Sequence, residues 1–309
     1  MKETITSTIT QHVNNAVELL DENPEWIKRY SGYVKEINKM TLENKRCRRL
    51  FRVKTPLYAY TSISKSKQSR CEYDLRYKGQ SVGLVQVGKK DQVFLCINDA
   101  KKNSNSEFFN LKLEGKFEWL ASEAQDFRRH FYNIDSIPKS PEHALENKIL
   151  AVFGKRKSDS KPIRNIQPVK LNGQFFQFPT PFSASDKTLK YSGSNGGGID
   201  ILARKAKKLT VIELKDENKP AESVDTVILQ AVAYATFVAK LLSIQPEWLK
   251  ILGYTKDAPK EINVLTLMPV GEEKASFEGM RIDVGNYTLV LNTLYFDDDK
   301  LSFSGSFLE

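Results

Sequence analysis

Gly197-Gly198-Ile199-Asp200 and, shortly after it, Val211-Ile212-Glu213-Leu214-Lys215 decide how this chain is read. They put an acid at the end of one apolar run and an acid–x–lysine on the next. Ile199, Ile201 and Leu202 open the first run, and Leu209, Val211, Ile212 and Leu214 form the second. Arg204-Lys205-Ala206-Lys207-Lys208 between them is a polar bend. Folding the chain about Ala206 and Lys207 sets Asp200 opposite Glu213 in an antiparallel pair, where facing residues lie ~4.5–5.5 Å apart. Side chains alternate along a strand, so Glu213 and Lys215 share that face while Ile212 and Leu214 point to the other. The bend carries no Asn-Gly or Gly-X signal to pin the register.

Two carboxylates and an ammonium group in one apolar hairpin suit magnesium-dependent phosphodiester chemistry. Mg²⁺ prefers oxygen ligands and keeps several waters beside one or two carboxylates. Asp200 and Glu213 supply the carboxylates, and the Leu214 carbonyl offers a third oxygen. The metal polarises a phosphoryl oxygen and activates water. Lys215 orients that water or neutralises the charge that grows at phosphorus. The competing reading is a surface ion pair on a half-exposed hairpin, worth ~0–1 kcal/mol. That reading leaves the apolar flanks unexplained.

These residues resemble the signature of the PD-(D/E)XK nuclease superfamily, the restriction-endonuclease-like fold, over about residues 140–270. Asp200 matches the first acidic position, Glu213 the second and Lys215 the lysine. Gln230-Ala-Val-Ala-Tyr234 stands where many members carry Gln-x-x-x-Tyr, and Glu146 or Glu142 stands where many carry a glutamate on the first core helix. The proline of the family name is missing, since Gly198-Ile199 precedes Asp200. The resemblance implies an α/β (α+β overall) chain with an αβββαβ core and a mixed sheet. It also implies catalysis by Asp200, Glu213, Lys215, Glu146 and Gln230, with Mg²⁺ or Mn²⁺ held by Asp200, Glu213, Leu214 and Glu146.

The helix bearing Gln230 runs from about 222 to 242 without proline or glycine, and apolar residues surround it. Such a helix is buried against a sheet. Gln230 and Tyr234 are one turn apart and share a face, either bonded to core backbone or turned toward metal and DNA phosphate. Ser140-Pro141-Glu142 starts the preceding helix as cap, first-position proline and first-turn acid. The dipole accounts for Glu142, which favours Glu146. The glycines at 193, 196, 197 and 198 allow close approach to a phosphate or a flexible loop; they lack the spacing of a nucleotide-binding loop.

The chain has 309 residues, a net charge of +9 and a pI near 9.2. That length suits two domains, and the charge favours polyanions. Basic residues cluster at Lys45, Arg46, Arg48, Arg49, Arg52 and Lys54, and again at Lys155, Arg156, Lys157, Lys161 and Arg164. Cys47, Cys71 and Cys96 have no metal spacing, which suggests a reducing, cytoplasmic setting. His12, His130 and His143 form no ligand pattern. No signal-peptide core and no long uninterrupted apolar segment are seen, so no membrane is expected.

Residues 1 to about 50 read as helical. Strands are expected at 57–60, 72–77, 81–87 and 92–98, forming a small antiparallel sheet or barrel, then a helix over 117–131. The boundary falls in Ile134–Pro141. This gives a smaller α+β domain over 1–137 and a nuclease-like domain with extra C-terminal strands over 138–309. Asn172-Gly173 signals a hairpin between 167–171 and 174–178. Later strands are expected at 261–269, 287–296 and 301–307.

The leading expectation is a metal-dependent nuclease that hydrolyses DNA, in restriction, phage defence or repair. The alternatives are a non-catalytic nucleic-acid-binding or scaffold protein on the same fold, and a nuclease active only in a partner complex. The N-terminal domain serves nucleic-acid contact or a protein partner. Cutting two strands takes two sites or one used twice, which makes a homo-oligomer reasonable.

Overall fold

Helices and strands alternate along the chain, and packing sorts them into two units. The computed structural model describes residues 2–63, 68–97, 113–135, 141–153, 166–171, 176–185, 188–205, 207–215, 223–255, 258–270, 275–297, 299–300, 302–305 and 307. Helices α1 (Lys2–Glu22) and α2 (Glu25–Cys47) come first. Strands β1 (Leu57–Thr61), β2 (Ser69–Tyr77), β3 (Gln80–Gly88), β4 (Val93–Ile97) and β5 (Gly115–Glu118) follow, then α3 (Ser122–Asn133) and α4 (Pro141–Phe153). Next come β6 (Ile166–Pro168), β7 (Phe178–Pro179), β8 (Phe182–Ala184), β9 (Leu189–Tyr191), β10 (Gly198–Ile199), β11 (Ile201–Lys205) and β12 (Lys208–Leu214). Helices α5 (Val224–Ile244) and α6 (Glu247–Ile251) and strands β13 (Glu261–Pro269), β14 (Arg281–Val284), β15 (Tyr287–Asp297) and β16 (Ser302–Ser304) complete the chain.

The first unit comprises Met1–Ser31, Lys148–Val169 and Gln177–Glu309. Its main sheet runs β14-β15-β13-β12-β11-β6, with β16 on β15. Strands β12, β13 and β15 are parallel, whereas β11 is antiparallel to both β12 and β6, so the sheet is mixed. Val211, Ile212 and Leu214 on β12 and Val264, Leu265 and Leu267 on β13 are all buried. Such continuous apolar runs are what parallel strands covered on both faces require. Helix α5 packs on β12, β13 and β15. It is long and apolar enough to cross a membrane, but Ala231 through Ala239 are all buried inside this unit. It is a core helix, apolar all round because it is covered all round.

The division of the chain differs from a single boundary at 137/138. Residues 1–31 belong with the C-terminal elements. Ile9, Val13, Ala16 and Leu20 form a helical stripe on α1 that is fully buried, and α1 lies along α5. Trp26 and Tyr30, at the start of α2, meet Phe237 edge-on at centroid distances of 5.6 and 4.8 Å. Lys240 Nζ and Asp21 Oδ1 add an ion pair at 2.7 Å. An apolar stripe states that a helix is buried, not which sheet or helix buries it.

The second unit comprises Gly32–Asn147 and Lys170–Phe176. Its sheet is an antiparallel meander, β1 to β5 in chain order. Lys78 and Gly79 join β2 to β3 with φ of 44° and 87°, the left-handed pair that a two-residue hairpin needs. Cys71, Tyr73, Leu75 and Tyr77 of β2 face a core shared with Phe51, Trp119, Phe127 and Phe131. The expected helix over 117–131 begins instead at Ser122, because Phe117 is paired with Leu95 as part of β5.

The hairpin expected about Asn172-Gly173 falls on residues 172–175, outside the described residues. Strand β6 pairs with β11, and β7 pairs with β10. Lys170, Leu171 and Phe176 belong to the second unit.

Trp26 tests the membership of the N-terminal segment. Its side chain is 1 % exposed and its Nε1 donates to the Leu20 carbonyl at 3.0 Å. Trp26→Ala is expected to cost about 3–5 kcal/mol in urea unfolding. A loss below about 1 kcal/mol would show that this segment is not part of the first unit's core.

Candidate functional site

The β11–β12 ladder runs from Lys205↔Lys208 to Ile201↔Ile212, so the next facing positions are Asp200 and Glu213, the register that the numbering implies. Asp200 bends out of the ladder, and its Oδ2 accepts the Leu214 N–H at 2.9 Å. That bond holds the carboxylate against the end of β12. Glu213 Oε1 lies 3.8 Å from Lys215 Nζ, an ion pair longer than a hydrogen bond. Glu213 is 2 % exposed and Lys215 7 %, while Asp200 is half-buried. The Lys215 N–H donates to the Leu267 carbonyl at 3.0 Å, which keeps β12 in register with β13 up to the lysine. The acids and the amine thus sit at the carboxyl end of a parallel strand, the end where α/β sheets place their ligands.

Helix α5 brings a second pair of groups. Gln230 is half-buried, and its Nε2 donates to Tyr234 Oη at 3.4 Å. Tyr234 is 2 % exposed. Burial, then the Glu213 carboxylate and, more weakly, Asp200 push its phenol up to about 12, against hydrogen bonds from Gln230 and the Ala184 backbone. The phenol is therefore neutral at physiological pH and within electrostatic range of both carboxylates.

The glycine run preceding Asp200 meets protein rather than open space. A Cβ on Gly197 would stand 2.5 Å from Tyr234 Oη, and one on Gly196 would collide with the Thr180 carbonyl. Thr180 N–H donates to Gly197 O at 2.8 Å, and Gly197 N–H to Phe182 O at 2.6 Å. The absence of a Cβ lets this strand press onto Thr180, Phe182 and Tyr234. Thr180, 2 % exposed, shares its hydroxyl between Gly197 O and Phe182 O at 3.1 and 3.2 Å. Nothing in the sequence singles out Thr180; the signal for its neighbourhood is the glycine run itself.

Asp200, Glu213, Leu214, Lys215, Gln230 and Tyr234 are brought together in the first unit. Glu146 is placed in the second unit, buried at 4 % exposure. There it acts, after burial, to push the Tyr60 phenol up. Together with Asp74 it also overcomes burial to raise Arg76. Arg76 Nε donates to Asp74 Oδ2 at 2.7 Å, and its guanidinium stacks 4.4 Å from the Tyr60 ring. Glu146 thus acts electrostatically on Tyr60 and Arg76, for which the helical pattern gave no sign. Glu142 is half-buried in the first turn of α4.

Of the first basic cluster, Arg46 pairs with Asp91 at 2.8 Å and Arg48 stacks on Phe51 at 4.7 Å; both serve packing. The second cluster lies outside the described residues. Among the described residues, no three or more His, Cys, Asp or Glu side chains gather as a metal-binding group. Comparisons with family models, with curated proteins and with solved structures each find no match to this chain.

The contact between Gly197 and Tyr234 is directly testable. Gly197→Ala is expected to destabilise by about 1–3 kcal/mol through overpacking. Adding Tyr234→Phe removes the colliding oxygen and leaves the ring carbon 3.5 Å away, so the double variant should recover part of that loss. Simple additivity of the two costs would show that close approach is not what Gly197 provides. The raised phenol means that stability is lost as pH climbs from ~10, the unfolded value, through about 12. Tyr234→Phe should delete one of the late tyrosinate steps of an alkaline absorbance titration.

Proposed function

We propose that this chain is a metal-dependent nuclease that hydrolyses DNA phosphodiester bonds, built on a restriction-endonuclease-like core of the PD-(D/E)XK type. The observation that carries the reading is the bond from Leu214 N–H to Asp200 Oδ2 at 2.9 Å, which joins Asp200 to the Glu213-Leu214-Lys215 end of β12. The order of elements agrees: α4, then β6, β11 and β12, then α5 and β13, with the four strands adjacent in the sheet. The small strands between β6 and β11 are additions to that core.

The donor set suits Mg²⁺ or Mn²⁺. Two carboxylates and a carbonyl are hard oxygen ligands, and Mg²⁺ takes one or two carboxylates and fills its octahedron with water and phosphate. Asp200, Glu213 and the Leu214 carbonyl would hold it. When bound, the ion polarises a phosphoryl oxygen and makes water a stronger nucleophile. Lys215, kept beside Glu213, presents an ammonium to the attacking water or to the charge growing on the phosphoryl oxygens. Gln230, half-exposed, can donate to a phosphate oxygen while Tyr234 braces it as a neutral group. The net charge of +9 attracts a polyanion.

One observation favours a second reading. Glu213 and Lys215 are 2 % and 7 % exposed, as expected of a structural ion pair in a protein that binds nucleic acid without cutting it.

Incubation with linear, circular and single-stranded DNA under Mg²⁺, Mn²⁺ or EDTA separates the two. Cleavage is expected with either metal and not with EDTA. Asp200→Asn, Glu213→Gln and Lys215→Gln, which keep side-chain size, should each lower it by roughly 10²-fold or more. Cleavage that survives all three substitutions, or DNA binding indifferent to EDTA with no cutting at all, would overturn the nuclease reading.

A further inference from the structure

Asp200 stands between β11, laddered to β12 from Ile201 onward, and a much shorter strand on its N-terminal side. That strand, β10, has two residues and pairs with the two-residue β7, Gly198 facing Pro179 and Ile199 facing Phe178. So short a ladder is marginal by itself. Thr180 N–H to Gly197 O continues the pairing, and contacts from outside it also hold β7. Phe178 sets its ring edge-on to Trp248 at 5.4 Å, and the Pro179 carbonyl accepts the Tyr30 hydroxyl at 2.7 Å. Proline has no N–H, so that carbonyl is the one backbone group through which β7 can be bonded at this position.

Tyr30 is built to hold its direction. It is 1 % exposed, and its ring lies edge-on to Phe237 at 4.8 Å and to Trp26 at 6.2 Å, and tilted against Trp248 at 6.0 Å. The helix that carries it is tied to the end of α5 by Gln245 Nε2, which donates to the Ile27 carbonyl at 2.6 Å. Close packing by three aromatic neighbours restrains the ring and aims its hydroxyl at the Pro179 carbonyl. The line from Tyr30 to Pro179, across the β7–β10 pair to Gly198 and Ile199, ends at Asp200.

We propose that Tyr30 is a positioning residue for Asp200: its hydroxyl, through the Pro179 carbonyl, fixes the strand pair that sets where the aspartate stands. The functional part of this inference rests on the reading of Asp200 as a metal ligand. The N-terminal helical segment thereby becomes part of the machinery of the site. The ring packing and the hydroxyl separate cleanly, since Tyr30→Phe removes one oxygen and keeps the aromatic cluster.

The test uses the full chain, Tyr30→Phe and a control, Tyr73→Phe. The control loses a comparable buried bond, Tyr73 Oη to Asn44 Oδ1 at 2.7 Å, in the second unit. Amide hydrogen exchange and Mn²⁺ titration by electron paramagnetic resonance are measured on each. Loss of one hydrogen bond corresponds to about a fivefold change in a local equilibrium. Tyr30→Phe is expected to speed exchange at 198–201 about fivefold and to weaken Mn²⁺ binding by a similar factor, with the β12 amides other than Leu214 unchanged. Tyr73→Phe should move neither. Unchanged exchange at 198–201 in Tyr30→Phe overturns the proposal, as does faster exchange with unaltered Mn²⁺ affinity. A wild-type chain that binds no Mn²⁺ sinks the metal-site reading, and with it the functional half of this proposal. The exchange data then still decide whether Tyr30 holds the strand pair.

Discussion

Strand β12 is bonded along both edges, antiparallel to β11 and parallel to β13, and buried on both faces. Every other feature of the first unit depends on that double pairing. A strand bonded on one edge can slip by a residue and turn its whole face over. Here a slip would have to break two ladders of opposite sense at once. The consequence is that Glu213 and Lys215 hold their face, and the Leu214 amide holds its aim at Asp200. Chemistry that needs a carboxylate placed to a fraction of an ångström is best built on such a strand, because rigid elements position side chains more closely than loops do.

The hairpin is legible in the sequence because its two apolar runs flank a polar bend and only one fold about that bend faces acid with acid. The long helix is legible for a similar reason: from Val224 to Ile244 nothing interrupts it and nearly everything is apolar. Strand β13 shows the same kind of signal. What the sequence leaves open is partnership. The stripe on α1 declares burial without an address, so residues 1–31 read as the start of an N-terminal domain although they cover α5. Phe117 fits a helical face as well as a strand, and its pairing with Leu95 decides the matter.

At the site the same limit applies. Asp200, Glu213 and Lys215 are visible because they are charges among apolar residues, and a buried charge demands a reason. Tyr30 and Thr180 are ordinary residues in ordinary surroundings, and their importance comes from backbone carbonyls that no pattern reports. Glu146 illustrates the reverse. It has the type and the place that a resemblance would ask for, and it also acts electrostatically on the buried Arg76. A Glu146 variant would disturb that charge balance, so its loss of function would say little about metal binding.

The packing of α1 on α5 has a consequence for how the protein is made. A ribosome releases α1 long before α5 has been synthesised, and α5 is the surface that covers Ile9, Val13, Ala16 and Leu20. Throughout that interval the nascent chain carries an uncovered oily stripe. Contacts between such remote segments form late and slowly, and exposed apolar surface in the meantime invites aggregation or a chaperone. Expression at low temperature, or with chaperones in excess, should therefore favour soluble product.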